Sequence, residues 1–337
     1  MYLDKTSQIA DITGFVRALT YRRIKNYISL RLHHRFRSTA GFARSGPASL
    51  SVETASFCNL KCPECPTGTK SIQQKKFFPN TEACQKLIGE LHPTLLSLLF
   101  FFQGEPLLNE ETEEMIKEAH KKNIYTVLST NAQNISHERA RKIVQSGLSK
   151  LIISIDGTTQ ETYEKYRIGG HLNKVLEAVE HLNYWKHNLK SNSPVITGQF
   201  IVFRHNEHQI KDLKTFLKKS GFNKMEIKSA QLNNYQEKSA LLPVNKKYSR
   251  YRYNSRTMEV TLKKQTRNTC FKMWHSAVVN AEGDILPCCF DKDSHYKMGN
   301  TNDQSFISLW NASRYNAFRK KVHHKRSDIE MCCNCGQ

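Results

Sequence analysis

From residue 48 to residue 229, short apolar and β-branched runs alternate with longer stretches whose apolar residues return every three or four positions. The runs Ser49 to Thr54, Leu96 to Phe102, Tyr125 to Ser129, Leu151 to Ile155, Val195 to Phe203 and Lys224 to Lys228 have the length and composition of strands. Between them, Glu110 to Lys121, Ser136 to Ser146, Leu172 to Lys186 and Gln209 to Lys218 carry helical spacing. Helix-start signals agree, with Asn109 before an acidic first turn and Ser136 three residues ahead of Arg139. Six such units predict an α/β fold, a parallel sheet curled into a partial (β/α)6 barrel.

The polar outliers of this segment fall at one end of the strands. Cys58 to Cys65 follow the first, Gln103-Gly104-Glu105-Pro106 the second, Ser129-Thr130-Asn131 end the third, and Ser154 and Asp156 end the fourth. Ligands of barrels and open α/β sheets bind at that carboxyl-terminal rim, so four motifs converge on one expected site.

The motif Cys58-x3-Cys62-x2-Cys65 carries the sharpest chemistry. Three thiolates from one loop can hold three corners of an iron-sulfur cube, and no fourth cysteine follows at ferredoxin spacing. One iron then keeps an open position, the property that separates a reactive metal site from a structural one. Structural zinc fits poorly, because it pairs cysteine doublets or a doublet with histidines.

Composition narrows the setting. A chain of 337 residues, 39% hydrophobic, can bury one barrel-sized core with a smaller appendage. The longest apolar run, Leu95 to Phe102, is far short of a bilayer and reads as a buried strand. Fifty-one Lys and Arg against thirty Asp and Glu give a net charge of +21, which attracts anions without saying which. The ten cysteines lie mostly in two distant clusters and no apolar signal core opens the chain, so reduced cytoplasmic thiols are expected rather than disulfides.

The cysteine triplet, Gly104-Glu105-Pro106 after an apolar strand, Ser129-Thr130-Asn131 and Ile153-Ser154-Ile155-Asp156-Gly157 together resemble the radical S-adenosylmethionine (radical SAM) superfamily over most of the chain. The resemblance implies a TIM-like partial barrel with a 4Fe-4S cluster on Cys58, Cys62 and Cys65. It also implies that SAM chelates the open iron, is cleaved reductively to a 5'-deoxyadenosyl radical, and that this radical takes a hydrogen atom from a substrate. Carbonyls around Gln103 and Gly104 with the Glu105 carboxylate suit the ammonium of SAM, with Pro106 stiffening the turn. Ser129, Asn131, Ser154 and Asp156 offer short polar groups to its ribose or carboxylate, or cap helices. The family also implies Arg167 as a partner of the SAM carboxylate. Three residues depart from the family pattern: Glu64 replaces an aromatic residue before the third cysteine, Gln103 a glycine, and Ala132 the glycine of Thr-Asn-Gly. The last two read as mild changes of size. No catalytic acid or base is legible.

Cys270, Cys288, Cys332 and Cys335 form a second set of four, enough to close another 4Fe-4S cluster, with Cys289 and Cys333 as substitutes and a zinc ribbon as the alternative. Trp274 to Asn280 and Asp284 to Cys289 read as hairpin strands. With Met298-Gly299-Asn300 and Leu309-Trp310-Asn311, this stretch resembles the SPASM/twitch extension of radical SAM enzymes, a small α+β domain. Because the sequence stops at Gln337, the shorter twitch form is expected. Cys84 reads as a core residue.

Two basic stretches remain. In residues 1–47 Ile9, Ile12, Val16, Leu19, Ile24, Ile28 and Leu32 recur at helical spacing among Arg17, Arg22, Arg23, Lys25, Arg31, Arg35 and Arg37. Such a helix either lies on an anionic membrane or buries its apolar face on the barrel. From Lys246 to Arg267, Tyr248, Tyr251 and Tyr253 alternate with basic residues, as a phosphate-binding strip or a solvated loop would.

The expected organisation is a basic segment (1–47), a radical SAM core (48–240), a linker (241–268) and a twitch domain (269–337). The expected function is hydrogen abstraction leading to net oxidation of a small polar, aminocyclitol-like molecule, because the terminal cysteine spacing resembles that of aminocyclitol dehydrogenases. Peptide maturation is the nearest alternative, although a leader-peptide-binding module is not recognisable before the barrel and is not expected, and a non-catalytic electron carrier is the alternative of another class. A flavodoxin or ferredoxin is the expected electron donor, and nucleic acid is not an expected partner.

Overall fold

The computed structural model describes residues 1–36, 45–69, 76–78, 80–232, 239–254, 256–257, 259–264 and 267–335. Arg37 of the basic segment lies outside them. Helices α1 (Lys5–Arg17) and α2 (Tyr21–Phe36) precede β1 (Ser49–Val52), after which the chain alternates through α3 (Thr81–Leu91), β2 (Ser97–Phe100), α4 (Thr112–Lys121), β3 (Tyr125–Thr130), α5 (His137–Gln145) and β4 (Lys150–Ser154). Helices α6 (Gln160–Glu164) and α7 (Leu172–Asn188), β5 (Val195–Val202), α8 (Ile210–Lys219) and β6 (Lys224–Ser229) complete the six units. A hairpin of β7 (Tyr251–Tyr253) and β8 (Val260–Leu262) leads to α9 (Lys272–His275), β9 (Ser276–Val279), β10 (Ile285–Leu286), α10 (Phe306–Asn311), α11 (Ser313–Lys325) and α12 (Glu330–Cys333).

Strands β1 to β6 stand in sequence order, each parallel to its neighbour. Beyond β1 the sheet continues into β9, parallel to β1, and then β10, antiparallel to β9. The partial barrel is thus an open eight-stranded sheet with β6 and β10 at its edges, and the terminal segment extends that sheet. Leu98, Phe100, Leu128, Ile153 and Phe200 pack with Met115, Ile143, Val179 and Leu213 of the helices in the main core. The intervening residues, paired in register as Leu99 with Val127 and Ser129 with Ile152, face the other way and form an inner face.

Local physics explains where the expected elements shift. Ser136 caps α5, accepting from Arg139 N at 3.2 Å. Asn109 does not cap α4: its Oδ1 accepts from Glu111 N at 2.9 Å and its Nδ2 donates to Thr54 O at 2.9 Å, so it fixes a turn and the helix begins at Thr112. Trp274 falls in α9 rather than a strand, and the terminal hairpin pairs only Val279 with Ile285 and Val278 with Leu286 around Gly283, whose φ is +87°. Tyr251 is no solvated linker residue: it is buried, with its Oη accepting from Leu232 N at 3.0 Å and donating to Asn334 Oδ1 at 2.9 Å.

The basic segment departs furthest from expectation. It forms two helices that meet near Ala18, and Ala18 packs against Tyr125, Val127 and Ile152 at the amino-terminal end of the inner face. The docked side of α1 is polar. Asp11 is buried there, accepting from the Tyr2 and Tyr125 hydroxyls and lying 3.3 Å from Lys224 Nζ and 3.5 Å from Lys150 Nζ. Arg23, expected to decorate the surface, is buried and donates to the carbonyls of Ala18, His92, Lys122 and Asn123.

Candidate active site

The cysteine loop leaves β1 and is sewn to the loop after β2. Glu105 N donates to Phe57 O at 2.8 Å, and a Cβ on Gly104 would lie 2.0 Å from Ala55 O. The glycine is therefore required for the two loops to touch each other. Within the loop, Cys65 N donates to Cys62 O at 3.1 Å, and the chain folds back so closely that a Cβ on Gly68 would lie 2.4 Å from Cys62 O.

Donors surround the sulfurs. Leu60 N is 3.4 Å from Cys58 Sγ, Asn131 Nδ2 3.5 Å from the same sulfur and Arg167 Nη1 3.7 Å from Cys62 Sγ, while the Thr67 hydroxyl, which donates to Gln103 O, lies 2.9 Å from Cys65 Sγ and accepts from it. Burial pushes the Cys58 thiol up to about 12 and raises Cys62 as well. Three sulfurs from one loop, with N–H donors aimed at Cys58 and Cys62, are the donor set of a three-cysteine cluster site. Cys62 and Glu64 are buried, and Cys58 and Cys65 half-buried.

The rim residues divide by role. Both oxygens of Glu105 are engaged within the protein, Oε1 by Thr130 Oγ1 at 2.6 Å and Leu107 N at 3.1 Å, Oε2 by Asn131 N at 2.8 Å. This buried carboxylate, its pKa raised by burial, ties β2 to β3 and sets the position of Asn131 beside Cys58. Thr67 Oγ1 donates to Gln103 O at 3.2 Å, and Gln103 Nε2 donates to Lys292 O at 2.6 Å, reaching the terminal segment. Asp156 is likewise occupied: Arg167 Nε donates to it at 2.6 Å and Ile201 N at 2.6 Å. Burial opposes the charge of Arg167, but Asp156 and Cys62 outweigh it and hold the guanidinium protonated. Ser129 and Ser154 lie on the inner face, Ser154 in register with Gln199 and Gln199 with Glu226.

Three braces escaped the sequence reading. Arg139 donates to Leu107 O, to Asn109 O at 3.0 Å and to Glu113 Oε1 at 2.6 Å, holding the turn that follows Pro106. Glu53, at the end of β1, accepts from Ala281 N at 3.1 Å and from the backbone of Gln103 and Gly104; burial lifts it to about 7. Thr67 joins Cys65 to Gln103. A lone Arg on an amphipathic helix and a Glu in a strand carry no signal of these contacts. Thr67 alone was legible in principle, two residues beyond the last cysteine.

The terminal cysteines gather around two cations. Arg326 Nη2 donates to Cys335 Sγ at 3.1 Å and also bonds Cys332. Lys272 Nζ lies 3.0 Å from Cys289 Sγ. The hydrogen bond shared with Cys288 and the Lys272 charge hold Cys289 well below the usual thiol range, while Cys288 is raised. Cys270, Lys272, Cys288, Cys289 and Arg326 line one cavity of 790 Å³ that continues onto Ser51, Leu99 and Phe101 of the inner face. Cys333 is exposed and turned toward Ser327 O, away from this group. Among the described residues no three Cys, His, Asp or Glu side chains gather as they would around a single ion. Cys84 is buried in the core.

A model of the radical SAM superfamily matches residues 52–217, and a model of the SPASM iron-sulfur cluster-binding domain matches residues 270–336. The chain belongs to the radical SAM superfamily. It is a radical SAM/SPASM enzyme whose cofactors are a 4Fe-4S cluster with SAM in the core and auxiliary iron-sulfur in the terminal region. The protein is similar to a tungsten-containing aldehyde ferredoxin oxidoreductase cofactor-modifying protein of Pyrococcus furiosus, 21% identical over 80% of this chain and 82% of that protein. It is also similar to a PqqA peptide cyclase of Ruegeria pomeroyi, 22% identical over 86% and 79%. Among solved structures, Streptococcus suis SuiB bound to S-adenosylmethionine superposes with a TM-score of 0.63 at 14% identity, over 86% of this chain and 72% of that one. BtrN in complex with AdoMet and 2-DOIA gives 0.51 at 16% identity, over 86% and 92%. These two structures share its fold.

Proposed function

We propose that this radical SAM enzyme oxidises a small polar substrate, a polyol or aminocyclitol, held against the inner face of the sheet between the cysteine loop and the terminal cysteines. When bound, SAM and the clusters supply the hydrogen-abstracting radical and a sink for the electron left on the substrate. The supporting observation is the inner face itself, where Ser154, Gln199 and Glu226 stand in register and Ser129 lies on the neighbouring strand, so that hydroxyl, amide and carboxylate groups border the apolar patch of Leu99, Val127 and Ile152. Such groups bind hydroxyls and amines by hydrogen bonds. Asn131 and Arg167 hold their places beside Cys58 and Cys62 through Glu105 and Asp156. The SAM carboxylate would meet Arg167, and its ammonium the carbonyls near Gln103. A basic protein of charge +21 suits an acidic flavodoxin or ferredoxin as electron donor, in the cytoplasm where such donors work.

A second reading is favoured by the PqqA peptide cyclases, of which the Ruegeria pomeroyi and Gluconobacter oxydans proteins align over 86% and 82% of this chain. On that reading the same face receives a peptide side chain. Anaerobically reconstituted enzyme, incubated with SAM and either a panel of polyols and aminocyclitols or a panel of peptides, separates the two. Stimulation of 5'-deoxyadenosine formation by the small molecules, with loss of two hydrogens from one of them, is the expected result. Stimulation by peptides alone would replace it with the maturase reading.

A further inference from the structure

The helix pair at the amino-terminal end of the sheet leaves most of its large apolar residues on the solvent side. Polar groups dominate its docked side: Asp11 bonds Tyr2 and Tyr125, Arg23 bonds four carbonyls, and Asn26 Nδ2 donates to Gly46 O at 2.9 Å, while of the aliphatic residues of α2 Leu30 enters the core. Its solvent side is apolar. Ile9, Ile12 and Val16 form a stripe on α1 that Leu19, just past its end, continues, with Ile9 64% exposed. On α2 the stripe is Ile24, Ile28, Leu32 and Phe36, with Phe36 72% exposed. Stripes of this length, unburied in the folded chain, mark a contact surface.

Charge identifies the partner. The exposed positions of α2 also carry Arg22, Lys25, Arg31 and Arg35, and Arg17 closes α1. Between Lys5 and Phe36 the sole acidic residue is Asp11, and it is buried. A matching surface must therefore accept aliphatic and aromatic side chains and be negative across its whole breadth. An acidic protein would need an apolar groove cut to two helices already fastened to the sheet, and a second copy of this chain would bring like charge against like. A bilayer containing anionic lipid supplies both, with acyl chains for the stripes and headgroups for the flanking cations.

We propose that α1 and α2 form a peripheral docking face that seats the enzyme on an anionic membrane. The face is built for display. Because Asp11, Arg23 and Asn26 fasten the helices to the sheet by buried polar contacts, the stripes cannot turn inward without breaking those bonds. It lies at the end of the sheet opposite the cysteine loop, so docking leaves the reactive rim facing away from the lipid.

The test is co-sedimentation of the reconstituted full chain with vesicles of mixed phosphatidylcholine and phosphatidylglycerol, against phosphatidylcholine alone, at low and high salt. The intact protein is expected to pellet with the anionic vesicles and to be released by salt. Changing Arg22, Lys25 and Arg31 to Gln should weaken low-salt binding about fivefold per charge. Ile12→Asp with Ile28→Asp should weaken it about tenfold or more while leaving 5'-deoxyadenosine formation unchanged. Both sets lie at exposed positions, and matching thermal melts establish that the variants fold; should the Asp pair fail that check, the Gln set decides alone. An intact protein that stays in the supernatant, or Gln variants that pellet unchanged at low salt, would overturn the proposal. So would self-association of the intact protein, lost in the Asp pair, without lipid binding, which would make the face an interface between copies.

Discussion

At the scale of single residues, the site is a set of backbone demands that the motif letters only partly disclose. Ala132, read from sequence as a harmless enlargement of glycine, has φ +57°, so its cost is conformational and not one of volume. A Cβ in that region is strained by roughly 1–2 kcal/mol, part of which glycine returns through its larger unfolded-state entropy. Ala132→Gly is therefore expected to stabilise the protein by about 0.5–1 kcal/mol in urea unfolding. Glu53 gives a pH signature. Its carboxyl is raised to about 7 by burial, partly offset by the N–H groups of Ala281, Gln103 and Gly104. Because the folded state holds this proton more tightly than the unfolded chain, the contribution is fully present below about pH 4.5 and lost as pH rises through about 7. Unfolding of the metal-free protein should show that slope, on the order of 3 kcal/mol in total, and Glu53→Gln should flatten it. The cysteines, Gly104 and Glu105 were legible because their spacing and residue type are the chemistry. The direction of the Glu105 carboxylate was not, since it depends on Thr130 and Asn131 one strand away.

At the scale of elements, six strands were placed to within two residues at either end, because β-branched runs between amphipathic helices leave little choice of register. The failures occur where tertiary contacts override local pattern. Trp274 is a good strand residue, yet it lies buried in α9 against Arg319, with Arg319 Cζ 5.8 Å from its ring. The helix pair α1–α2 is the larger lesson. Periodicity found its apolar stripe but left open which side meets the sheet, because that depends on the partners Asp11 and Arg23 find on β3, β4 and the loops beside them. Asp11 carries the docking of α1, since without it Lys150 would lose its ion pair and Lys224 would keep only the longer one to Glu226, at 3.8 Å. Burial pushes its pKa up, yet the bonds from Tyr125 and Tyr2 and the two lysines hold it low. Asp11→Ala should cost about 3 kcal/mol of stability, read by chemical unfolding, with protease sensitivity appearing first in residues 1–36.

At the scale of the whole molecule, two metal regions are joined by one sheet. The inner face runs from the cysteine loop past Ser51, Leu99 and Phe101 to the cavity of Cys270, Cys288 and Cys289, while Gln103 and Glu53 tie the rim to Lys292 and Ala281. The sequence showed two cysteine sets and their order; it could not show that the second set adds strands to the same sheet, because β9 pairs with β1 across more than two hundred residues. Replacing Cys270 and Cys288 together should remove about four irons per chain while SAM cleavage persists in part, as iron assay and 5'-deoxyadenosine formation would show. Unchanged iron with stoichiometric zinc would make the terminal region a zinc site. The central claim rests on the loop Cys58-x3-Cys62-x2-Cys65, and the most direct measurement is 5'-deoxyadenosine formation by anaerobically reconstituted enzyme, with dithionite as reductant, in Cys58→Ala, Cys62→Ala and Cys65→Ala. Each variant is expected to lose the product entirely, because the loop offers no replacement ligand, whereas cleavage at the parent rate in any of the three would contradict the account.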